Sequence, residues 1–155
     1  MATTRILFVC LGNICRSPTA EGVMKHMVDQ ASADVFVDSA GTGAWHAGER
    51  ADARMRKHAS RRGYDLTSRA RAFDHSVDFE AFDLIVAMDD SNLANLRRQD
   101  REGRYGHRLV KMTDYCRQHQ QHEVPDPYYG GAQGFELVID IIEDAAKGML
   151  EEIPR

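Results

Sequence analysis

Cysteine is scarce in this chain, with three in 155 residues. Three thiols cannot all pair, which argues against a disulfide framework and for a reducing, cytoplasmic setting. Long apolar runs are also missing. The longest near the N-terminus, Ile6 to Leu11, has six residues, against about 20 for a membrane helix, and it lacks the flanks of a secretory signal. No membrane partner is expected. Positive charge is not in excess, and a net charge of −4 argues against a nucleic-acid binder. Proline is limited to four residues, and no Ser/Gly linker, repeat or low-complexity segment divides the chain, so residues 1–155 read as one domain. Lysine is rare too, at four against sixteen arginines. An arginine excess suits recognition of phosphate or carboxylate, although codon usage and ordinary surface pairs produce it as well.

What is present is enough for a core. Hydrophobic residues make up 43% and charged residues 28%, and a chain of this size should expose roughly 7,900 Å² when folded. Short apolar runs alternate with amphipathic stretches. Arg5–Cys10 is apolar on both faces and reads as a buried strand. Ser17 and Pro18 suit the N-cap and first position of a helix bearing Ala20, Val23, Met24, Met27, Val28 and Ala31 on one stripe. Val35–Ser39 reads as a strand, followed by a Gly-rich loop from Ala40 to Gly48. Asp52 can cap a helix through Met55 and Ala59 that stops at Gly63. Leu84–Met88 reads as a third strand, Ser91 as the cap of a helix holding Leu93 and Leu96, and Arg108–Met112 as a fourth strand near an edge. A polar loop spans 117–134. A last helix, about Gln133 to Glu152, carries Phe135, Val138, Ile139, Ile142, Ala145, Ala146, Met149 and Leu150. This alternation predicts an α/β fold with three layers, an open parallel sheet of four strands between helices on both faces. In such folds ligands bind beyond the carboxyl ends of the strands.

That rule draws attention to Cys10-Leu11-Gly12-Asn13-Ile14-Cys15-Arg16-Ser17, between the first strand and the first helix. A loop of this length aims consecutive backbone N–H groups inward, a geometry that binds a tetrahedral oxyanion with help from the helix dipole. Gly12 and Asn13 tolerate left-handed backbone, which a tight cradle needs. A cysteine at its edge is a candidate thiolate nucleophile. Arg16 can hold two oxygens of a phosphate bidentately, and Ser17 can donate to the sulfur. Cleaving a phosphoester also needs a general acid. Asp126, held between Pro125 and Pro127, is the best candidate, with Tyr128 and Tyr129 beside it to line a slot for an aryl group. Taken alone, a structural strand-end cysteine and a proline-rich turn with surface tyrosines would account for the two segments.

Together the string Val9–Pro18, Ala20-Glu21, and Asp126-Pro127-Tyr128-Tyr129 resemble the low-molecular-weight protein tyrosine phosphatases over essentially the full length. Asp38–Thr42 and Met88–Leu93 fall where that family has similar segments. The resemblance implies a flavodoxin-like strand order, a cytoplasmic location, no metal or organic cofactor, and hydrolysis of phosphotyrosine and aryl phosphates through a phosphocysteine. It implies Cys10 as nucleophile, Arg16 as phosphate clamp and Asp126 as acid, then base. Leu11, Gly12, Asn13, Ile14, Cys15 and Ser17 would form the phosphate loop, with Asn13 bonded to Ser39. Leu11, Trp45, Tyr128 and Tyr129 would line the pocket mouth. Cys15 would pair reversibly with Cys10 on oxidation. Expected partners are phosphotyrosine proteins, a tyrosine autokinase among them, and phosphate or other oxyanions in the site.

Three rivals compete with this reading. An arsenate reductase on the same fold would need further cysteines for its relay, and only Cys116 lies beyond the loop. A phosphotyrosine-binding module would need neither Cys10 nor Asp126. Cys116, His119, His122 and Glu123 have a spacing that could suggest a metal site, but no complete ligand pattern accompanies them, and a polar helix end fits better.

Overall fold

Ile6, Leu7, Phe8 and Val9 have no solvent exposure, which a strand achieves only inside a sheet covered on both faces. In the computed structural model, which describes residues 2–128 and 130–153, they belong to β1 (Thr4–Cys10). β1 pairs in parallel with β2 (Val35–Gly41) on one side and β3 (Leu84–Ala87) on the other. β4 (Leu109–Lys111) pairs in parallel with β3 at the edge. The order β2-β1-β3-β4 is the flavodoxin-like order expected, and the exposed surface of 7962 Å² matches that expected of a chain this size.

Alternation along β1 divides the interior. Ile6, Phe8 and Cys10 face a larger core shared with α1 (Arg16–Ala31), α2 (Ala53–Arg61) and α5 (Ala132–Glu152). Leu7 and Val9 face a smaller one with α3 (Asp78–Ala81) and α4 (Asp90–Gln99). The eight apolar positions read on the last helix are all buried. Gly148 on α5 admits a close approach: a Cβ there would lie 2.1 Å from the Tyr115 carbonyl oxygen.

Helix ends follow local chemistry. Asp52 caps α2 by accepting from the N–H groups of Arg54 and Met55. Gly63, at φ 90°, ends it with the paired bonds Tyr64 N–H to Ala59 O and Gly63 N–H to Ser60 O, the left-handed closure glycine permits. Two expected caps differ. α1 starts at Arg16 with Cys15 at its cap, so Ser17 lies inside the first turn and its hydroxyl serves the site. α4 is capped by Asp89, which accepts from the Asn92 N–H, leaving Ser91 inside the helix. The one-turn α3 and two 3-10 turns, Gly106–Arg108 and Met112–Tyr115, carried no periodicity long enough to be read.

Candidate active site

β1 ends at Cys10 and α1 begins at Arg16, so the intervening loop closes over the carboxyl end of the sheet. Asn13 sits at φ 59° and takes the left-handed turn; of the two residues expected to allow it, Asn13 rather than Gly12 uses the freedom. That turn points the Asn13 N–H at Cys10 Sγ, 3.3 Å away. The Asn13 amide is oriented by the backbone, since its Oδ1 accepts from the Arg71 N–H at 3.0 Å. Its Nδ2 therefore donates to Ser17 Oγ at 2.7 Å and to Ser39 Oγ at 2.9 Å. Each hydroxyl then has its own proton to give. Ser39 donates to Glu21 Oε1 at 2.6 Å, and Ser17 lies 3.0 Å from Cys10 Sγ. The Ser17 hydroxyl proton is thus free to go to the sulfur, or to the Ala40 carbonyl at 3.4 Å. Glu21 is buried and holds Lys25 with its other oxygen at 2.5 Å.

The N–H groups of Gly12, Ile14, Cys15, Arg16 and Ser17 have no acceptor among the described residues, and they line the turn where a helix N-terminus favours an anion. Arg16 is 2% exposed. Its Nη1 is fixed by Asp89 Oδ2 at 2.6 Å and the Val124 carbonyl at 3.0 Å. Its Nη2 stands 3.8 Å from Asp126 Oδ2, too far for a hydrogen bond. Burial opposes the charge on Arg16, but the influence of Cys10 and the bond to Asp89 outweigh it and raise its pKa. Asp126 is steadied by the Tyr128 N–H on its Oδ1 at 3.1 Å. Cys10, Arg16 and Asp126 share a cavity of about 290 Å³ with Leu11, Gly12, Ile14, Cys15, Trp45, His46 and Tyr128.

Residues 5–155 match the family model for low molecular weight phosphotyrosine protein phosphatase. A putative low molecular weight protein-tyrosine-phosphatase of Synechocystis is 48% identical over 96% of each chain. The low molecular weight protein-tyrosine-phosphatase of Streptomyces coelicolor is 43% identical over 97% of this chain and 94% of its own. This chain belongs to the low molecular weight phosphotyrosine protein phosphatase family. The crystal structure of a protein tyrosine phosphatase from Entamoeba histolytica, with Hepes in its active site, superposes with a TM-score of 0.92 at 45% identity, over 97% of this chain and 96% of that one.

In this phosphatase Leu11 and Trp45, which line the cavity, are 46% and 71% exposed. Tyr129 lies outside the described residues. Cys15 lines the cavity and is buried, and burial, then the nearby Asp52 charge, push its thiol pKa up. Cys116 does not line this cavity, and its Sγ lies 3.7 Å from the Ile141 carbonyl. The His122 ring and Glu123 both meet Asp90, at 3.4 Å and 2.7 Å, while the His119 N–H bonds Asp144, and they form no potential metal-binding group of three among the described residues. Several site residues had no role in the sequence reading. Asp89 could have been found from its place just past the end of β3, where site residues of such sheets collect. Glu21 could have been found from its spacing of four residues from both Ser17 and Lys25. Arg71 and the Val124 carbonyl act through the backbone and leave no signature in residue type.

Proposed function

We propose that this tyrosine phosphatase works through a phosphocysteine formed on Cys10. The observation that carries the reading is the convergence on one sulfur of the Asn13 N–H and the Ser17 hydroxyl, in a cavity shared with Arg16 and Asp126. The substrate phosphate sits among the free N–H groups of the loop, with Arg16 on its equatorial oxygens. The Cys10 thiolate attacks phosphorus in line. The bond from phosphorus to the phenolic oxygen breaks as Asp126 gives that oxygen its proton. Asp126, now a carboxylate, takes a proton from water, whose oxygen attacks phosphorus. The sulfur–phosphorus bond breaks and inorganic phosphate leaves. Ser17 holds the sulfur in both steps, while Asn13 and Ser39 hold Ser17. Leu11, Trp45 and Tyr128, with Tyr129, grip the aryl ring. We read the whole chain as one catalytic domain acting in the cytoplasm, with a tyrosine kinase's products among its substrates.

Cys15 is assigned as a redox guard. A peroxide oxidises Cys10 to the sulfenic acid, and the Cys15 sulfur displaces hydroxide from it, giving a disulfide and water once a proton is taken up. The kinetic test uses p-nitrophenyl phosphate and phosphotyrosine peptide. Cys10→Ser should abolish turnover yet retain phosphate binding, and Asp126→Ala should lower kcat by about 10²–10⁴. Full activity in Cys10→Ser would end the proposal.

A further inference from the structure

A second, polar groove of about 400 Å³ adjoins the phosphate cavity. The two share Ile14, His46 and Tyr128 as a common wall. The far side of the groove is formed by Glu49, Arg50, Asp52 and Arg56, over a floor that includes Ala51. Its charges are unequally committed. Glu49 is taken by His46, at 2.8 Å. Asp52 is taken by Arg54, at 3.0 Å, and by the first N–H groups of α2. Arg50 is exposed, and Arg56, half-buried, gives only its Nε to the Ala51 carbonyl at 2.9 Å. Neither has a carboxylate partner among the described residues. By contrast, Arg54, on the same helix as Arg56, is held by Asp52. Asp52 is paired with Arg54 and Glu49 bonds the His46 ring, while Arg50 and Arg56 have no carboxylate partner among the described residues.

We propose that this groove is a subsite for an acidic side chain flanking the phosphotyrosine of a protein substrate. The proposal rests on the phosphatase reading of the adjoining cavity. A substrate whose phosphotyrosine enters beside Tyr128 must lay its neighbouring residues across the mouth, and an extended chain advances about 3.3 Å per residue. A carboxylate one or two residues away therefore comes within reach of the shared wall. Arg50 and Arg56 would receive it through charge-assisted bonds, with Arg offering the planar match to a carboxylate. Because the groove is open to water, its effect falls on KM more than on kcat.

The test compares phosphotyrosine peptides carrying Glu, Gln or Lys at each of the two positions on either side, with p-nitrophenyl phosphate as reference. The wild-type enzyme should show kcat/KM about three- to tenfold higher for Glu over Gln at one position at least, with the preference weakening in high salt. Arg56→Glu and, separately, Arg50→Glu should shrink or invert it toward Lys, and Arg56→Lys should keep part of it. Equal rates on Glu and Gln peptides, with normal turnover of p-nitrophenyl phosphate, would overturn the subsite alone. No turnover of any of these substrates would overturn the catalytic reading instead. A Glu preference that survives both charge reversals would overturn the assignment to this groove.

Discussion

One residue organises the site. Asn13 supplies the left-handed turn and, through a single amide fixed by the Arg71 N–H, holds the hydroxyls of both Ser17 and Ser39. These two contributions separate experimentally. Asn13→Gly keeps the turn, because glycine adopts positive φ without strain, but loses the amide. It should lower the urea midpoint, because the buried Ser17 and Ser39 hydroxyls and the Arg71 N–H lose their partner, while kcat falls about tenfold or more, since the serine beside the sulfur is no longer held. Asn13→Ala loses both, and should cost a further ~1–2 kcal/mol in stability. If Asn13→Gly kept wild-type kcat, the hydroxyl network would be incidental to activity. At this scale, the candidate groups were legible: Cys10, Asn13 and Arg16 stand in one string between a strand and a helix, and Asp126 stands between two prolines far along the chain. Their supports were less so. Asp89 fixes Arg16 from 73 positions away, and Val124 does so through a carbonyl that any residue would carry. Long-range pairing and backbone groups have no local pattern to read.

At the scale of elements, α2 and the segment bearing Asp126 are tied by Arg54. Its Nη2 reaches Asp52 at 3.0 Å and the Tyr128 carbonyl at 2.8 Å. Its guanidinium also lies 5.5 Å from the Tyr128 ring centroid and 4.9 Å from that of Phe135 on α5, within range of cation–π attraction. Arg54 is thus a positioning residue: it does not itself line the cavity, but it holds Tyr128, which does, and with it the stretch that carries Asp126. Arg54→Ala should lower kcat several-fold on aryl phosphates, with a smaller change in KM for small substrates. Arg54→Lys should restore only part, because an ammonium cannot make both in-plane bonds. An unchanged kcat in Arg54→Ala would show that the prolines alone hold Asp126. The four strands and the long helices were readable because apolar period and burial agree along them. The caps of α1 and α4 were misread for one reason. Ser17 and Ser91 are good capping types, but an N-cap needs only a suitable backbone. At α1 the serine was withheld for the sulfur, and at α4 an aspartate two residues earlier both caps the helix and binds Arg16.

At the scale of the whole molecule, carboxylates accept bonds from the backbone at turns that join elements. Burial works against the charge on Asp144, but the N–H groups of His119, Gln118 and Arg117 outweigh it and hold its pKa below the ordinary range. Asp52 behaves likewise, with burial opposed by Arg54 and the first N–H groups of α2. A depressed folded pKa means that the contribution is fully present above the unfolded value, about pH 4, and is lost as pH falls through the folded one. Urea midpoints should therefore drop between pH 5 and pH 3, and Asp144→Asn should narrow that drop by lowering stability at pH 5 more than at pH 3. An identical drop in the variant would remove Asp144 from the account of acid stability. The parallel sheet and α1 place one sulfur in the lining of one cavity, at the carboxyl end of β1. The most direct measurement of that claim is mass spectrometry of enzyme quenched in acid during turnover of a phosphotyrosine peptide. The mechanism predicts a phosphoryl group on Cys10, formed in the wild type and absent from Cys10→Ser. Turnover without phosphate on Cys10, or with phosphate on another residue, would contradict it.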